Sequence, residues 1–415
     1  MTSRTRPLLL VVSNLSRSSR EPFVVAATKQ YRLWELTGGE GRPSEPPWET
    51  PCLEGYTTVD TLDVAASVRA AQEVNRTTRV AGVFCCDEAR VVVAAHVAEA
   101  LGLPTSPHEA VARCRDKHLT RTALDAHDVP QARSEAVRTV EDAHAAAERI
   151  GYPVVVKPRN QTCSYGVARV DDAAELAKAF EHAASRPWAE LRDEHEELVL
   201  VEEFLDGPEI SIDAVVFEGD VEVTVVARKQ TGFAPNFEET GHIVDARDPM
   251  AGEPELHDIV ASAHAALGLH TGATHTELRL TSDGYKVVEV NARMGGDLIP
   301  YLGQIATGVE PNLAAASVAC GERPTVERSA SAVAGTRFYY PERDLVVREV
   351  RIDPTRLPPR TRRAQVLAEP GQHLQLPPRG IAWQSRLAQI VVESDDVAGC
   401  TAALDVAAQA VTAID

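Results

Sequence analysis

HTELRLTSDGYKVVEVNAR, residues 275–293, reads as two short strands around a turn, and the register of their pairing decides the fold reading. A two-residue Asp283-Gly284 turn sets Leu278 opposite Glu289. A three-residue loop, Ser282-Asp283-Gly284 with the glycine left-handed, shifts the pairing by one and sets Glu277 opposite Glu289 and His275 opposite Asn291. The side-chain pattern favours the second register. There Leu278, Leu280, Val288 and Val290 share the core face, and His275, Glu277, Arg279, Glu289 and Asn291 share the other. Directly opposed carboxylates repel unless a cation lies between them or one is protonated. Oxygen ligands of this kind suit Mg²⁺. The plain alternative is a solvated hairpin face with alternating charges.

The residues that follow strengthen the metal reading. Arg293-Met294-Gly295-Gly296-Asp297 leads into an apolar helix from about residue 298. Glycines before a helix start, with an arginine beside them, make an anion site.

Upstream, two lysines stand out because the chain is so poor in them. Its 415 residues carry a net charge of −19, with 36 Arg and only 6 Lys among the basic residues. Lys117 lies in RCRDKHLTR, just before a helix. Lys157 ends the strand VVVK, beside the loop 159–166 (RNQTCSYG), where backbone groups and hydroxyls such as that of Ser164 offer phosphate donors. VEEFLDGPEIS (201–211) adds acceptors: Glu202 for an exocyclic amine and Glu209 for ribose hydroxyls. In isolation each of these is an ordinary surface residue.

Taken in order, Lys117, Lys157, E-E-F-x-x-G-x-E and E-(x11)-E-x-N-x-R resemble the ATP-grasp superfamily over residues 1 to about 325. The resemblance implies an α/β fold with an α+β lid: an N-terminal Rossmann-like pre-ATP-grasp domain (1–113), an ATP-grasp domain (114–330) with a lid at about 150–205, and a β-rich C-terminal subdomain with a closing helix (331–415). Residue by residue, it implies that Lys117, Lys157 and Ser164 meet phosphates, Glu202 the adenine amine, the Glu203 and Leu205 backbone the base, and Glu209 the ribose. It makes Glu277, Glu289 and Asn291 ligands of two Mg²⁺ ions, with Mn²⁺ an acceptable replacement. Arg293 would steady an acyl phosphate or a substrate carboxylate, with Lys157 as its catalytic companion.

G-x-x-H-T-E-x-R (272–279), E-V-N-A-R-x-G-G-D (289–297) and E-T-G-H (239–242) look most like the carboxylate–amine ligases that join amino acids, the L-amino acid ligase or dipeptide synthetase type. Natural-product biosynthesis is a setting such enzymes share. The segment 229–247, read as a loop, would shape the substrate pocket through Glu239 and His242, with His275 and Gly296 nearby. The expected substrates are a small carboxylic acid and an amine. The rival readings are a carboxylase or purine-pathway-type ligase using bicarbonate or formate, and an ATP-binding regulator without turnover.

The acidic balance argues against nucleic acid or anionic membrane as a partner. The apolar run Leu8–Val12 is too short for a signal core, and nothing approaches the about 20 residues that span a bilayer. Seven scattered cysteines without a C-x-x-C argue against a disulfide framework or zinc cluster. The expectation is a reduced cytoplasmic protein, a homodimer by analogy with similar enzymes.

Overall fold

The computed structural model describes residues 6–13, 17–38, 52–185, 199–377 and 379–415. The segment 38–51, whose richness in Gly, Pro and Glu predicts a loop, lies almost entirely outside these residues. The N-terminal layer is a parallel sheet in the order Gly55–Thr58, Arg32–Thr37, Leu8–Val12 and Val80–Phe84. Leu8, Leu10 and Val12 pack on one face with Val93, Ala94 and Val97, while Leu9 and Val11 pack on the other with Phe23 and Val24. Burial on both faces is why the strand reads as an unbroken apolar run.

The second sheet has four strands, in the order Ser134–Val137, Val199–Glu203, Val154–Pro158 and Ala168–Val170. Helices Val140–Ile150 and Ala173–Ala184 cover it, with Ala143, Ala146, Ile150, Leu176 and Phe180 over Val154, Val156 and Val201. This core begins at Val137 and takes in the helix Val140–Ile150.

The third sheet is antiparallel, in the order Gly284–Asn291, Gly272–Thr281, Glu209–Phe217, Asp220–Gly232, Glu238–Asp245, Val333–Tyr339, Ala388–Ser394 and Thr361–Val366. Helix Pro254–Leu267 covers one face, where Leu256, Ile259 and Val260 meet Ile210, Val226 and Leu278. Helix Ile299–Thr307 covers the other, where Leu302 and Ala306 meet Val225, Ala227 and Val244. It lies so close that a Cβ on Gly303 would sit 2.3 Å from Val225 Cγ2.

Two expectations change here. The segment 229–247 is two strands joined by a short tip rather than a loop; its polar residues face the cleft, which hides the apolar alternation. Of the C-terminal strands, Val333–Tyr339, Thr361–Val366 and Ala388–Ser394 extend the central sheet, and the others pair in two-stranded sheets. The last helix, Val397–Ala407, does not close the chain: a strand, Val411–Ile414, follows it and pairs with Glu349–Ile352.

Candidate active site

A cleft of about 460 Å³ opens between the lid sheet and the central sheet. Lys117, Lys157, the Glu202–Glu209 run, the 275–293 hairpin and the 159–166 loop all line it, although they are separated by up to about 170 residues of sequence. Carboxylates outnumber cationic side chains on its wall. A polyanion therefore needs accompanying cations to enter.

The hairpin pairs His275 with Asn291 and Glu277 with Glu289, as the favoured register requires. The turn that achieves this differs from the expectation. Thr281 pairs with Gly284 around a two-residue Ser282-Asp283 loop, and a bulge between Val287 and Glu289 restores the register at the site. The extra residue turns Val287 into the core and Val288 onto the cleft wall, reversing the expected placement of Val288. The opposed carboxylates each lean on a lysine: Lys117 Nζ is 3.1 Å from Glu289 Oε1, and Lys229 Nζ is 3.1 Å from Glu277 Oε2. Burial opposes ionisation of Glu277, but Lys229 outweighs it and holds the carboxyl down at about 2. Two cross-strand carboxylates with an Asn amide beside them form an all-oxygen donor set that fits Mg²⁺.

Lys117 opens helix Lys117–Asp125, whose cap is Asp116; its ammonium also donates to the Gln161 carbonyl at 2.9 Å. Lys157 projects from the lid strand and lies 2.6 Å from Glu202 Oε2. Glu202 receives Arg121 as well, through Nε at 2.8 Å and Nη2 at 3.0 Å. Both its oxygens are thus engaged, by Lys157 and Arg121. Burial, with Arg121 and Lys117 nearby, lowers the Lys157 ammonium to about 8. Glu202 is held at about 2, because Arg121 and Lys157 outweigh its burial.

Glu209 is ion-paired with Lys229 at 2.7 Å and Arg279 at 2.9 Å. The Leu205 carbonyl accepts from Arg279 at 3.1 Å, and the Glu203 carboxylate from the Arg133 backbone N–H at 3.2 Å. Ala132, Val155, Leu205 and Val288 supply apolar walls at this end, where a planar base would lie. In the loop, Cys163 and Ser164 both take left-handed backbone at φ 53°. Such conformations in non-glycine residues concentrate at functional sites.

At the other end Arg293 donates to Glu88, which also takes Arg115 at 2.7 Å. Glu88 comes from the N-terminal layer, and the two arginines outweigh its burial to hold it at about 2. His275 Nδ1 lies 2.6 Å from Asp213 Oδ1, which accepts the Gly295 N–H at 3.1 Å. A Cβ on Gly295 would sit 2.8 Å from both Asp213 Oδ1 and His275 Nδ1, so glycine is required by close approach. Burial disfavours the His275 cation, but Asp213 and Glu277 win and raise it to about 9. Gly296 has open space on its side-chain face and lines the cleft.

His242 Nε2 stands 3.2 Å from Glu239 and 3.4 Å from Asp297. Arg386 closes the group, reaching Asp297 at 3.1 Å and Glu238 at 3.0 Å. Glu239 is kept ionised, well below the usual carboxylate range, by Lys229 and His242 against its burial. Glu238 goes the other way: burial exceeds the help from Arg386 and lifts it to about 7. Asp297 and Leu298 are left-handed at φ 53° and 67°, immediately before helix Ile299–Thr307.

Sequence reasoning missed Glu88, Arg121, Asp213, Lys229, Glu238 and Arg386. Only Lys229 carried a signal, as another of the six lysines. The others are ordinary residues in strands, helices and loops whose convergence depends on the folded chain.

A small lid and a central antiparallel sheet enclosing a nucleotide-sized cleft define the ATP-grasp class. Residues 150–300 match the family model described as the ATP-grasp domain, and the chain carries that domain in the ATP-grasp fold. The solved L-amino acid ligase of Bacillus licheniformis superposes with a TM-score of 0.81 at 23% identity, covering 99% of this chain and 98% of that one. Phosphoribosylglycinamide synthetase of Anaerococcus prevotii gives 0.73 at 20%, covering 99% of each chain. Among curated proteins, human carnosine synthase 1 is 29% identical over 57% of this chain, and alanine–anticapsin ligase of Bacillus subtilis is 28% identical over 56%. An uncharacterized protein of Sinorhizobium fredii is 29% identical over 69%. The matches span 30%, 54% and 58% of those three proteins' own lengths. No helix among the described residues is long and apolar enough to cross a membrane.

Proposed function

We propose that this protein is an ATP-dependent carboxylate–amine ligase that forms an amide bond, in the simplest case a peptide bond between amino acids, and releases ADP and phosphate. The observation that carries the proposal is the meeting of the cross-strand pair Glu277 and Glu289 with Lys117, Lys157 and Arg293 in one cleft. The names of alanine–anticapsin ligase and carnosine synthase, each about 28–29% identical, support amide formation.

A carboxylate is too poor an electrophile to meet an amine directly. In the proposed first step its oxygen attacks the γ-phosphorus of ATP and ADP departs. In the second the amine attacks the acyl carbon and phosphate departs. Mg²⁺ held by Glu277, Glu289 and Asn291 would supply charge neutralisation for phosphate oxygens; two ions, or Mn²⁺ in their place, belong to this proposal. Lys117 and Lys157 bring cations to the phosphates from the helix start and from the lid. Arg293, oriented by Glu88, receives the anionic acyl group. Positioning and electrostatics of this kind account for most of the acceleration in phosphoryl transfer. The lid strands and the 159–166 loop exclude water from an acyl phosphate that hydrolyses readily. Glu238, titrating near neutrality beside Glu239 and His242, is the proton acceptor for the amine.

The test is Mg²⁺-dependent release of ADP and phosphate across a panel of amino acids and small acids, with products identified by mass. Release that needs both an acid and an amine, with an amide product, is the expected result. Dependence on bicarbonate would replace the ligase by a carboxylase, and tight ATP binding without turnover would replace it by a regulator. Light scattering checks the proposed homodimer.

A further inference from the structure

Outside the cleft, one cluster brings together side chains of a different chemistry. His96 and Glu99 lie three residues apart on helix Val91–Ala100, hence on one face. His108 is the first residue of helix His108–Arg115, after a connection punctuated by Pro104 and Pro107. The His96 and His108 rings lie tilted by 31° with centroids 3.8 Å apart. Glu99 fixes the second helix by accepting the His108 backbone N–H at 2.8 Å, and its other oxygen lies 2.7 Å from His108 Nδ1. One ligand atom from each of the three residues lies within 4.8 Å of the others.

We propose that His96, Glu99 and His108 form a binding site for one borderline divalent transition-metal ion of the zinc class, clipping the N-terminal layer to the helix that leads into Lys117. Two imidazoles and one carboxylate are the donors such ions prefer, and they are a poor set for Mg²⁺. The ligands are already pinned by helices on both sides of the joint, so little ordering is needed on binding. The location gives the clip a consequence. Helix His108–Arg115 carries Arg115, which holds Glu88 and through it Arg293, and the next residue, Asp116, caps the helix that Lys117 opens. The proposal is independent of what reaction the cleft performs.

The experiment is calorimetric titration of the chelator-stripped full chain with Zn²⁺ in excess Mg²⁺, which occupies oxygen-donor positions in the cleft. His96→Asn, His108→Asn and Glu99→Gln are compared with His242→Asn, which removes the histidine of the cleft cluster. The expected result is one Zn²⁺ per chain in the wild type and in His242→Asn. Affinity should fall at least about tenfold in His96→Asn and His108→Asn, as loss of one of three ligands demands. Zn²⁺ should also raise the melting temperature of the wild type and not of His96→Asn. If a histidine variant does not fold, the exposed Glu99→Gln carries the test alone. No uptake by the wild type, unchanged affinity in the three ligand variants, or loss of uptake in His242→Asn would each overturn the site.

Discussion

Lys229 Nζ lies 3.1 Å from Glu277 Oε2, deep in the central sheet. The same ammonium meets Glu209 at 2.7 Å and Glu239 at 2.8 Å, so one lysine ties together the proposed ribose, metal and substrate regions. Burial disfavours its charge, but the three carboxylates raise it well above the ordinary lysine value. Lys229→Met leaves those carboxylates in mutual repulsion. Removing one partner of a buried ion pair costs about 3–5 kcal/mol. The melting temperature should drop by roughly 6–20 °C, at about 2–4 °C per kcal/mol, and nucleotide affinity should fall with it. A variant melting like the wild type would show that Lys229 does not organise these groups.

Glu289→Ala removes one of the opposed carboxylates without opening the hydrophobic core. Metal assistance contributes several kcal/mol to phosphoryl chemistry, so turnover should fall by roughly a thousandfold or more. ADP release, with circular dichroism to verify folding, reads the outcome. Turnover within a few-fold of wild type would remove Glu289 from the metal site.

Lys157 has its ammonium lowered to about 8, chiefly by burial. Below that pH it is a cation ready for phosphate; above it the charge is lost, while Glu202 stays ionised throughout. The ATP dissociation constant should therefore rise by up to about tenfold from pH 7 to pH 9, since one unit of pH above the pKa leaves about a tenth of the lysines charged. Lys157→Ala should bind ATP more weakly and lose most of that pH dependence. An equal slope in both proteins would assign the dependence to another group.

His275 is raised to about 9 in the folded chain, against an ordinary value near 6.5. A raised folded value means that stability is fully present below the unfolded value and is lost as pH climbs through the folded one. The His275–Asp213 pair should thus stabilise at pH 6 by up to about 3 kcal/mol relative to pH above 9, 2.5 units at about 1.4 kcal/mol each. Urea midpoints of the wild type and His275→Asn at pH 6, 7.5 and 9 check this. The gap between them should narrow as pH rises, and a constant gap would mean that the pair does not titrate in this range.

The hairpin shows how far local reading reaches. Strand alternation was enough to put Glu277 opposite Glu289, because a slip by one residue would turn the apolar set out of the core. It was not enough to fix how the register is reached. The turn and the bulge trade one residue between them, and both solutions leave the same pairing at the site. Segment 229–247 failed for the opposite reason. Its strands place Lys229, Glu239 and His242 in a buried polar cleft, so the alternation of apolar and polar residues that marks a half-exposed strand is absent.

Lys117, Lys157, Glu209, Glu277, Glu289, Asn291 and Arg293 were nominated as candidates by sequence, through their order and spacing in a lysine-poor chain, and the fold brings them to one cleft. Their partners were decided only by the tertiary structure. Arg121 reaches Glu202 across 81 residues of sequence, Arg293 reaches Glu88 across 205, and Arg386 reaches Asp297 across 89. An arginine that neutralises a buried carboxylate needs proximity alone, which leaves no periodicity and no spacing to read. The chain therefore declares which groups would act, while the packing of three sheets sets what each one faces and the charge it holds.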